Sequence, residues 1–249
     1  MPHLYGTQRD YLLIRTVAYL LLSVTAVLTG VILGYIIISV IFENLALIGT
    51  FTGLISIALF FIPFLSTIWL LYILHKNLDQ KGFFYFSGLI GEEKILKQLT
   101  RLDDRFLVFQ DAKLPGRRDN IDFIVLGPGG VFTIEVKSHK GRISFDGSSL
   151  LRNGRVLEKD FLKQARRQAL GLHDYLLEKT GADIWVKPII VFTGTYLKIP
   201  FGHNEVGGCR VYGKEWLVNA LEISPVVASW PVSPEIIESN LLLLTNYKN

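Results

Sequence analysis

Two carboxylates and a lysine occur in the stretch "NIDFIVLGPGGVFTIEVKSHK", residues 120–140. Two apolar, β-branched runs flank a Gly-Pro-Gly-Gly turn, and this pattern predicts a β-hairpin. If Gly127 to Gly130 form a four-residue loop, Asp122 in the first strand faces Glu135 in the second. Because side chains alternate along a strand, Lys137 then lies on the same face as Glu135.

Opposed carboxylates indicate a binding site for a positive charge. Like charges in opposed cross-strand positions are destabilising, and burial among apolar neighbours raises that cost. Mg²⁺, or Mn²⁺ in its place, is a hard cation commonly held by one or two carboxylates. Asp122 and Glu135 are therefore the predicted metal ligands, and Lys137 could neutralise charge, orient a water or hold a phosphate. The alternative is an ordinary half-solvated strand in which Glu and Lys alternate without forming a site.

Two predicted helices carry further polar residues near this hairpin in sequence. In "GLIGEEKILKQLTRL", Glu92 falls on the apolar stripe, so it either caps its own first turn or points into a polar site. A second helix is predicted from Asp160, a capping residue, to Thr180, and it ends at Gly181. Gln164 and Gln168 both lie near its apolar face, and helical spacing alone does not decide which amide reaches the site.

These segments predict a mixed α/β domain. Strands are predicted at 106–110, in the hairpin, at "GRISFDG", around the Asn153-Gly154 turn, at "WVKPIIVFTG" and at "CRVYG". "KEWLVNAL" and Pro234 to Thr245 predict two more helices, the second with proline in its first turn. Strands in the middle of the domain with helices at both ends predict one sheet between layers of helices.

A very different composition precedes this domain. No Lys or Arg occurs between Thr16 and His75, and Glu43 is the only acid, lying between two long apolar runs. The runs, about 16–41 and 45–74, each exceed the ~20 residues that cross a bilayer as a helix. The sequence therefore predicts a membrane anchor over residues 1–80 with two transmembrane α-helices, followed by a domain over residues 81–249.

The distribution of charge predicts how the anchor is oriented. Basic residues flank the apolar runs on both sides: Arg9, Arg15, His75, Lys76 and Lys81. The positive-inside rule therefore places both termini and the 81–249 domain in the cytoplasm, with the Glu43 turn outside. The only cysteine, Cys209, excludes an intrachain disulfide and suits a reducing compartment. A net charge of +4 is compatible with a nucleic-acid partner but too mild to establish one.

Together these motifs resemble the nuclease-related domain, known as NERD, of the PD-(D/E)xK, restriction-endonuclease-like group. The resemblance covers roughly Gly88 to Leu221. It rests on Gly91-Glu92 opening a helix, Asn120-Ile121-Asp122 leading a strand, "GPGGVFTIEVK", and the helix containing "QARRQALGL". It implies a restriction-endonuclease-like mixed sheet flanked by helices. One departure from the superfamily pattern is Ile121, where a variable proline often precedes the aspartate.

The resemblance also implies a role for each matched residue. Asp122 and Glu135 match the family's metal-binding carboxylates, Lys137 its catalytic lysine, Glu92 the acidic residue of the first helix, and Gln164 the glutamine of the later helix. The resemblance implies an Mg²⁺- or Mn²⁺-dependent nuclease that hydrolyses phosphodiester bonds, with DNA expected ahead of RNA as its substrate. The apolar runs, which lie outside the resemblance, add a membrane anchor to this prediction. Two alternatives stay open. One is a non-catalytic, membrane-tethered module that binds nucleic acid or a partner, and the other is a membrane scaffold that works through its hairpin.

Overall fold

The structure is a computed structural model that describes residues 2–5, 86–197 and 205–245. It also describes helical residues at 17–18, 21–22, 24–25, 27–32, 34–36, 38–39, 65, 68–69, 72–73 and 76. The chain divides into two compact units, Met1–Arg9 with Ser87–Asn249, and Asp10–Phe86. Among the described residues, no helix is both long enough and apolar enough to cross a bilayer. The predicted spans, 16–41 and 45–74, lie largely outside the described residues and stay a prediction.

One mixed sheet of eight strands forms the centre of the larger unit. The strands are β1 (His3–Tyr5), β2 (Leu107–Lys113), β3 (Asn120–Gly127), β4 (Gly130–Phe145), β5 (Leu150–Arg152), β6 (Arg155–Val156), β7 (Val186–Leu197) and β8 (Arg210–Gly213). Strands β1 to β6 are neighbours in that order. On its other edge β4 pairs in parallel with β7, and β7 pairs in parallel with β8.

Helices cover both faces of this sheet, as the sequence predicts. They are α1 (residues 86–99), α2 (Phe161–Thr180), α3 (Leu217–Glu222) and α4 (Pro234–Thr245). Buried side chains of α1 and α3 pack on one face of the sheet, and those of α2 and α4 on the other. The segment "KEWLVNAL" is not one continuous α-helix, because Lys214–Trp216 form a 3₁₀ turn before α3.

Helix α2 has both of the ends that the sequence predicts. The Asp160 side chain accepts a hydrogen bond from the Lys163 N–H at 2.9 Å, which satisfies an otherwise unpaired donor of the first turn. At the other end Gly181 has a φ of 69°, and its N–H donates to the Leu177 carbonyl. A left-handed residue after the last turn is a common helix stop, and glycine adopts it without strain.

The β3–β4 hairpin has the predicted register but a shorter turn. Leu126 pairs with Val131 and Ile124 with Thr133, as predicted. Gly127 also pairs with Gly130, so the loop contains two residues instead of the expected four. The paired register ends at Phe123 and Ile134, one step before the aspartate and the glutamate that the sequence places opposite each other.

Strand β4 is longer than the sequence predicts. "GRISFDG" does not form a separate strand, because its first five residues continue β4 as far as Phe145. An irregularity between Lys137 and Lys140 shifts the pairing of β4 with β7. The last residues of β4 then pair with β5, and β5 pairs with β6 across the predicted Asn153-Gly154 turn. Positive φ angles of 52° and 80° at these two residues are those of a tight hairpin turn.

Candidate active site

Strand β4 brings two of the predicted residues together on the face that α2 covers. Glu135 is buried, with 4 % of its side chain exposed, and Lys137 retains 14 % exposure. The two lie two positions apart on the strand and therefore on one face. The Lys137 ammonium donates a hydrogen bond to Glu135 Oε1 and forms an ion pair with it.

Helix α2 supplies two side chains that fix this ion pair. Gln164 Nε2 donates to Glu135 Oε1 at 2.6 Å, and Gln164 Oε1 lies 3.4 Å from Lys137 Nζ. The ring of Phe161, one turn earlier on the helix, lies under the ammonium with its centroid 4.6 Å from Nζ. This cation–π contact holds the lysine stem against the helix. Lys137 is thus fixed on three sides by a carboxylate, an amide and an aromatic ring.

The second oxygen of Glu135 has no such partners. Glu135 Oε2 is buried, and no described residue donates a hydrogen bond to it. A buried acceptor without a donor costs about 1–3 kcal/mol, and more when it carries charge. The Glu135 carboxylate is therefore half satisfied by the protein, and its second oxygen is available to a cation or a water.

Asp122 lies just beyond the last backbone pair of β3 with β4, and its side chain contacts β4 instead. Its Oδ2 accepts a hydrogen bond from the Val136 N–H at 2.7 Å. The side chain therefore takes the position that the backbone of β3 would occupy in a regular hairpin, directly beside Glu135. Asp122 does not form a backbone pair with Glu135, which differs from the prediction, but its carboxylate still lies next to that residue.

The electrostatics of Asp122 show how close the acidic groups are. Burial raises the pKa of the Asp122 carboxyl well above its usual value, and the charges of Glu135 and Glu92 raise it further. Lys137 and the hydrogen bond from Val136 act in the opposite direction. Because burial is the largest of these effects, the Asp122 carboxyl is costly to ionise here, and the charges of Glu135 and Glu92 add to that cost.

Helix α1 carries Glu92 towards this end of the sheet from the other face. Gly91 makes the close approach possible, because a Cβ there would lie 3.2 Å from Ser138 Cβ and 3.3 Å from Thr193 Oγ1. Glu92 is partly buried and acts on Asp122 through its charge. Within the described residues, no group of three or more His, Cys, Asp or Glu side chains is placed to hold a metal ion. The structure thus assembles Asp122 and Glu135, with Glu92 further out.

The choice between the two glutamines of α2 is visible in their contacts. Gln168 is 2 % exposed, and its Nε2 donates to the Asn120 carbonyl at 3.1 Å. It therefore ties the helix to the start of β3, two residues before Asp122. Only Gln164 contacts the Glu135–Lys137 pair, and this is the residue that the family resemblance implies.

The chain segment that carries all five residues matches a known family. Residues 87–193 match NERD, the nuclease-related domain. The matched stretch runs from α1 into β7 and includes the whole of β2 to β6 and α2. Comparison with curated proteins and with solved structures gave no match.

Two residues of the NERD segment contribute to the site without having been predicted. Phe161 reads in the sequence as part of an apolar stripe, yet its ring contacts Lys137. His139 packs against the same ring with centroids 5.1 Å apart. Burial lowers the pKa of His139, and the charges of Lys137, Arg152 and Lys159 lower it further. The signal that was available for Phe161 is its position one turn before Gln164, on the same side of α2.

Proposed function

We propose that this protein is a metal-dependent nuclease that hydrolyses phosphodiester bonds, with DNA as its expected substrate. The observation that carries the proposal is the Glu135 carboxylate. One of its oxygens is held by Lys137 and Gln164, and the other is buried without a donor among the described residues. The charge of Glu135 also acts on the carboxyl of Asp122. The match of residues 87–193 to NERD supports a nuclease-related function for this arrangement. The restriction-endonuclease-like relationship is part of the same proposal.

The residues present fit a hard divalent cation. Glu135 Oε2 and the Asp122 carboxylate offer anionic oxygen ligands, the type that Mg²⁺ and Mn²⁺ prefer. A bound cation would stabilise the ionised form of the Asp122 carboxyl, which burial and the charges of Glu135 and Glu92 otherwise disfavour. Bound by these two residues, the metal ion would polarise the scissile phosphate and lower the pKa of a water.

The side chains of the chain itself perform the remaining tasks. Lys137 presents a positive charge whose position is fixed by Glu135, Gln164 and Phe161. A preorganised ammonium stabilises the negative charge that develops on a phosphate oxygen in the transition state. Gln164 orients both partners of the ion pair, and Glu92 strengthens the local negative field that attracts the cation.

We also propose that the protein is anchored in a membrane through two spans, with the NERD segment in the cytoplasm. Apolar side chains of the described helical residues are widely exposed, including Leu21 at 61 %, Val31 at 65 % and Trp69 at 66 %. Strand β1 pairs with β2, so residues 3–5 lie on the same side of a bilayer as the NERD segment. Any crossing between them must then occur an even number of times, which supports the predicted hairpin.

A substrate panel tests the proposed activity. The full chain in detergent micelles is incubated with end-labelled single-stranded DNA, double-stranded DNA and RNA, each with Mg²⁺, Mn²⁺ or EDTA. Cleavage of DNA that requires a divalent ion and is lost in Lys137→Met supports the proposal. Binding of nucleic acid without cleavage under any metal would instead favour the non-catalytic, membrane-tethered module.

A further inference from the structure

A short β arm extends from the site, built from the end of β4 together with β5 and β6. Ile143, Ser144 and Phe145 of β4 pair with β5, and the Asn153-Gly154 turn leads into β6. Ile143 is fully buried in a cluster that includes Phe161, the residue whose ring contacts Lys137. The arm is therefore anchored on the same part of α2 that forms the candidate active site.

The surface of this arm is strongly basic. The exposed cations in and beside the arm are Lys140, Arg142, Arg152, Arg155 and Lys159. None of them forms an ion pair with any residue that the structure describes. Two nearby acids are already engaged: Asp146 accepts from the N–H groups of Ser148 and Ser149, and Asp160 caps α2. Glu158 is the only other acid in residues 137–163.

Two of these cations face each other directly. Arg152 and Arg155 are cross-strand partners on either side of the tight turn. Like charges in directly opposed positions destabilise a hairpin, so this pair is unfavourable in the absence of an anion. Arg152 is also the partner of Ile143 in β4, which places its side chain on the face of the arm that α2 covers.

One arginine of this pair and the candidate catalytic lysine act on the same side chain. The charges of Lys137, Arg152 and Lys159 all act on His139, which packs against Phe161. Arg152, Lys159 and Lys137 therefore bring positive charge to the surroundings of one histidine. An extended polyanion bound at the site would meet these charges.

We propose that the β5–β6 arm binds the phosphodiester backbone of nucleic acid beside the scissile bond, with Arg152 and Arg155 as its principal contacts. The proposal deepens the nuclease function and rests on it. Arginine forms bidentate, charge-assisted hydrogen bonds with phosphate oxygens, and such contacts fix the register of a strand without reading its bases. An anionic lipid surface offers similar headgroup phosphates, but the connection to Lys137 and His139 favours the substrate backbone.

Binding measured without cleavage tests the arm. The full chain in detergent micelles, with EDTA present, is titrated into fluorescent DNA duplex at several salt concentrations. In Arg152→Gln/Arg155→Gln we expect affinity to fall by about tenfold or more, with the salt dependence less steep by ~1.8 in log–log slope, or ~0.9 for each lost contact. Arg152→Lys/Arg155→Lys keeps the charges and should recover most of that slope. Lys94→Gln/Lys97→Gln, which removes two exposed charges from α1, should change little.

Several outcomes would overturn the proposal. One is a duplex affinity and salt slope that are the same in the glutamine double variant and the parent protein. Binding of the same variants to vesicles that contain anionic lipid is measured in parallel. If the glutamine double variant loses binding to these vesicles but keeps binding to DNA, the arm is a membrane-contact surface. A parent protein that binds no nucleic acid would also remove the arm's proposed ligand. Cleavage by the parent protein is measured separately. If DNA binding depends on the arm but no cleavage occurs, the nuclease activity is refuted and the role of the arm in binding is retained.

Discussion

At the residue scale, the surroundings of Glu135 differ from those of an ordinary half-solvated strand. Alternating Glu and Lys is typical of a half-solvated strand, and the sequence leaves that alternative open. In the structure this part of β4 is not half-solvated, because Thr133 is 1 % exposed, Glu135 4 % and the Lys137 side chain 14 %. Burying an ion pair is unfavourable unless further hydrogen bonds compensate. Here Gln164 compensates one oxygen only, and the other oxygen remains for a ligand.

Substituting alanine for Gln164 or for Gln168 distinguishes a residue that positions the site from one that stabilises the fold. We expect Gln164→Ala to lower cleavage more than tenfold, because Lys137 and Glu135 lose the amide that orients both. Gln168→Ala should instead lower the free energy of unfolding by about 1–3 kcal/mol, because a buried contact to the Asn120 carbonyl is lost. Parallel cleavage assays and urea titrations measure the two effects. Equal losses of activity in both variants would contradict the assignment.

His173 predicts a pH dependence of stability outside the site. Its Nε2 lies 2.9 Å from Asp183 Oδ1 and its Nδ1 3.2 Å from Asp174 Oδ1. The hydrogen bond with Asp183, followed by that with Asp174, raises the pKa of His173 above its usual 6.5. The protonated form is favoured by folding, so this contribution is fully present below pH 6.5 and is lost as the pH rises through the raised value. Urea titrations between about pH 6 and pH 8 should show a flatter profile in His173→Gln. An unchanged profile would rule out this coupling.

At the element scale, the sequence predicts the features that neighbouring residues determine, such as the ends of a helix and the register of a hairpin. Helix α2 begins and ends as predicted because its cap residues act within one turn. The hairpin register was predictable because alternation of buried residues fixes which side chains share a face. The two-residue turn was not, since Gly-Pro-Gly-Gly allows either loop length.

Elements that depend on distant partners were missed. Strand β1 contains three residues, and its partner β2 begins about a hundred positions later. Three residues are too few to show the alternation of apolar and polar residues by which a strand is predicted. The same limit applies to Asp122, whose departure from the ladder depends on the Val136 N–H across the hairpin. The contact of Phe161 with Lys137 likewise arises from packing of α2 on β4.

Strand β1 should protect the edge of β2. Tyr5 OH donates to Glu238 Oε1 at 2.7 Å, and its ring stacks on Phe109 at 5.1 Å between centroids. Removing these contacts in Tyr5→Ala should free β1 from the sheet and leave unprotected those N–H groups of Leu107–Phe109 that point towards β1. Hydrogen exchange of the full chain should then become faster in Leu107–Phe109 and stay unchanged in Arg210–Gly213. Unchanged exchange in β2 would show that β1 contributes nothing to this edge.

At the scale of the whole molecule, the pairing of β1 with β2 constrains the topology. Residues on both sides of the apolar segment belong to one sheet, so the predicted anchor must return to the side from which it started. By the positive-inside rule, the basic residues that flank the apolar runs predict that this side is the cytoplasm. The Glu43 turn is then predicted to lie outside.

Single cysteines test this topology directly. The native Cys209 is fully buried and gives a low labelling background. In intact cells, a membrane-impermeant maleimide should label Asn44→Cys in the predicted outer turn. It should label the exposed position Ser229→Cys only after the membrane is permeabilised. Labelling of Ser229→Cys in intact cells would contradict the cytoplasmic placement.

The central claim is that Glu135 holds a metal ion that drives phosphodiester cleavage. The most direct measurement is the rate of DNA cleavage by the full chain against Mg²⁺ concentration, for the parent, Glu135→Gln and Glu178→Gln. Glutamine keeps the shape of the buried side chain but removes the charge that binds a cation, while Glu178 is an exposed residue at the far end of α2. We predict a loss of about 10²-fold or more for Glu135→Gln at every Mg²⁺ concentration, and parent-like rates for Glu178→Gln. Parent-like, Mg²⁺-dependent cleavage by Glu135→Gln would contradict the account.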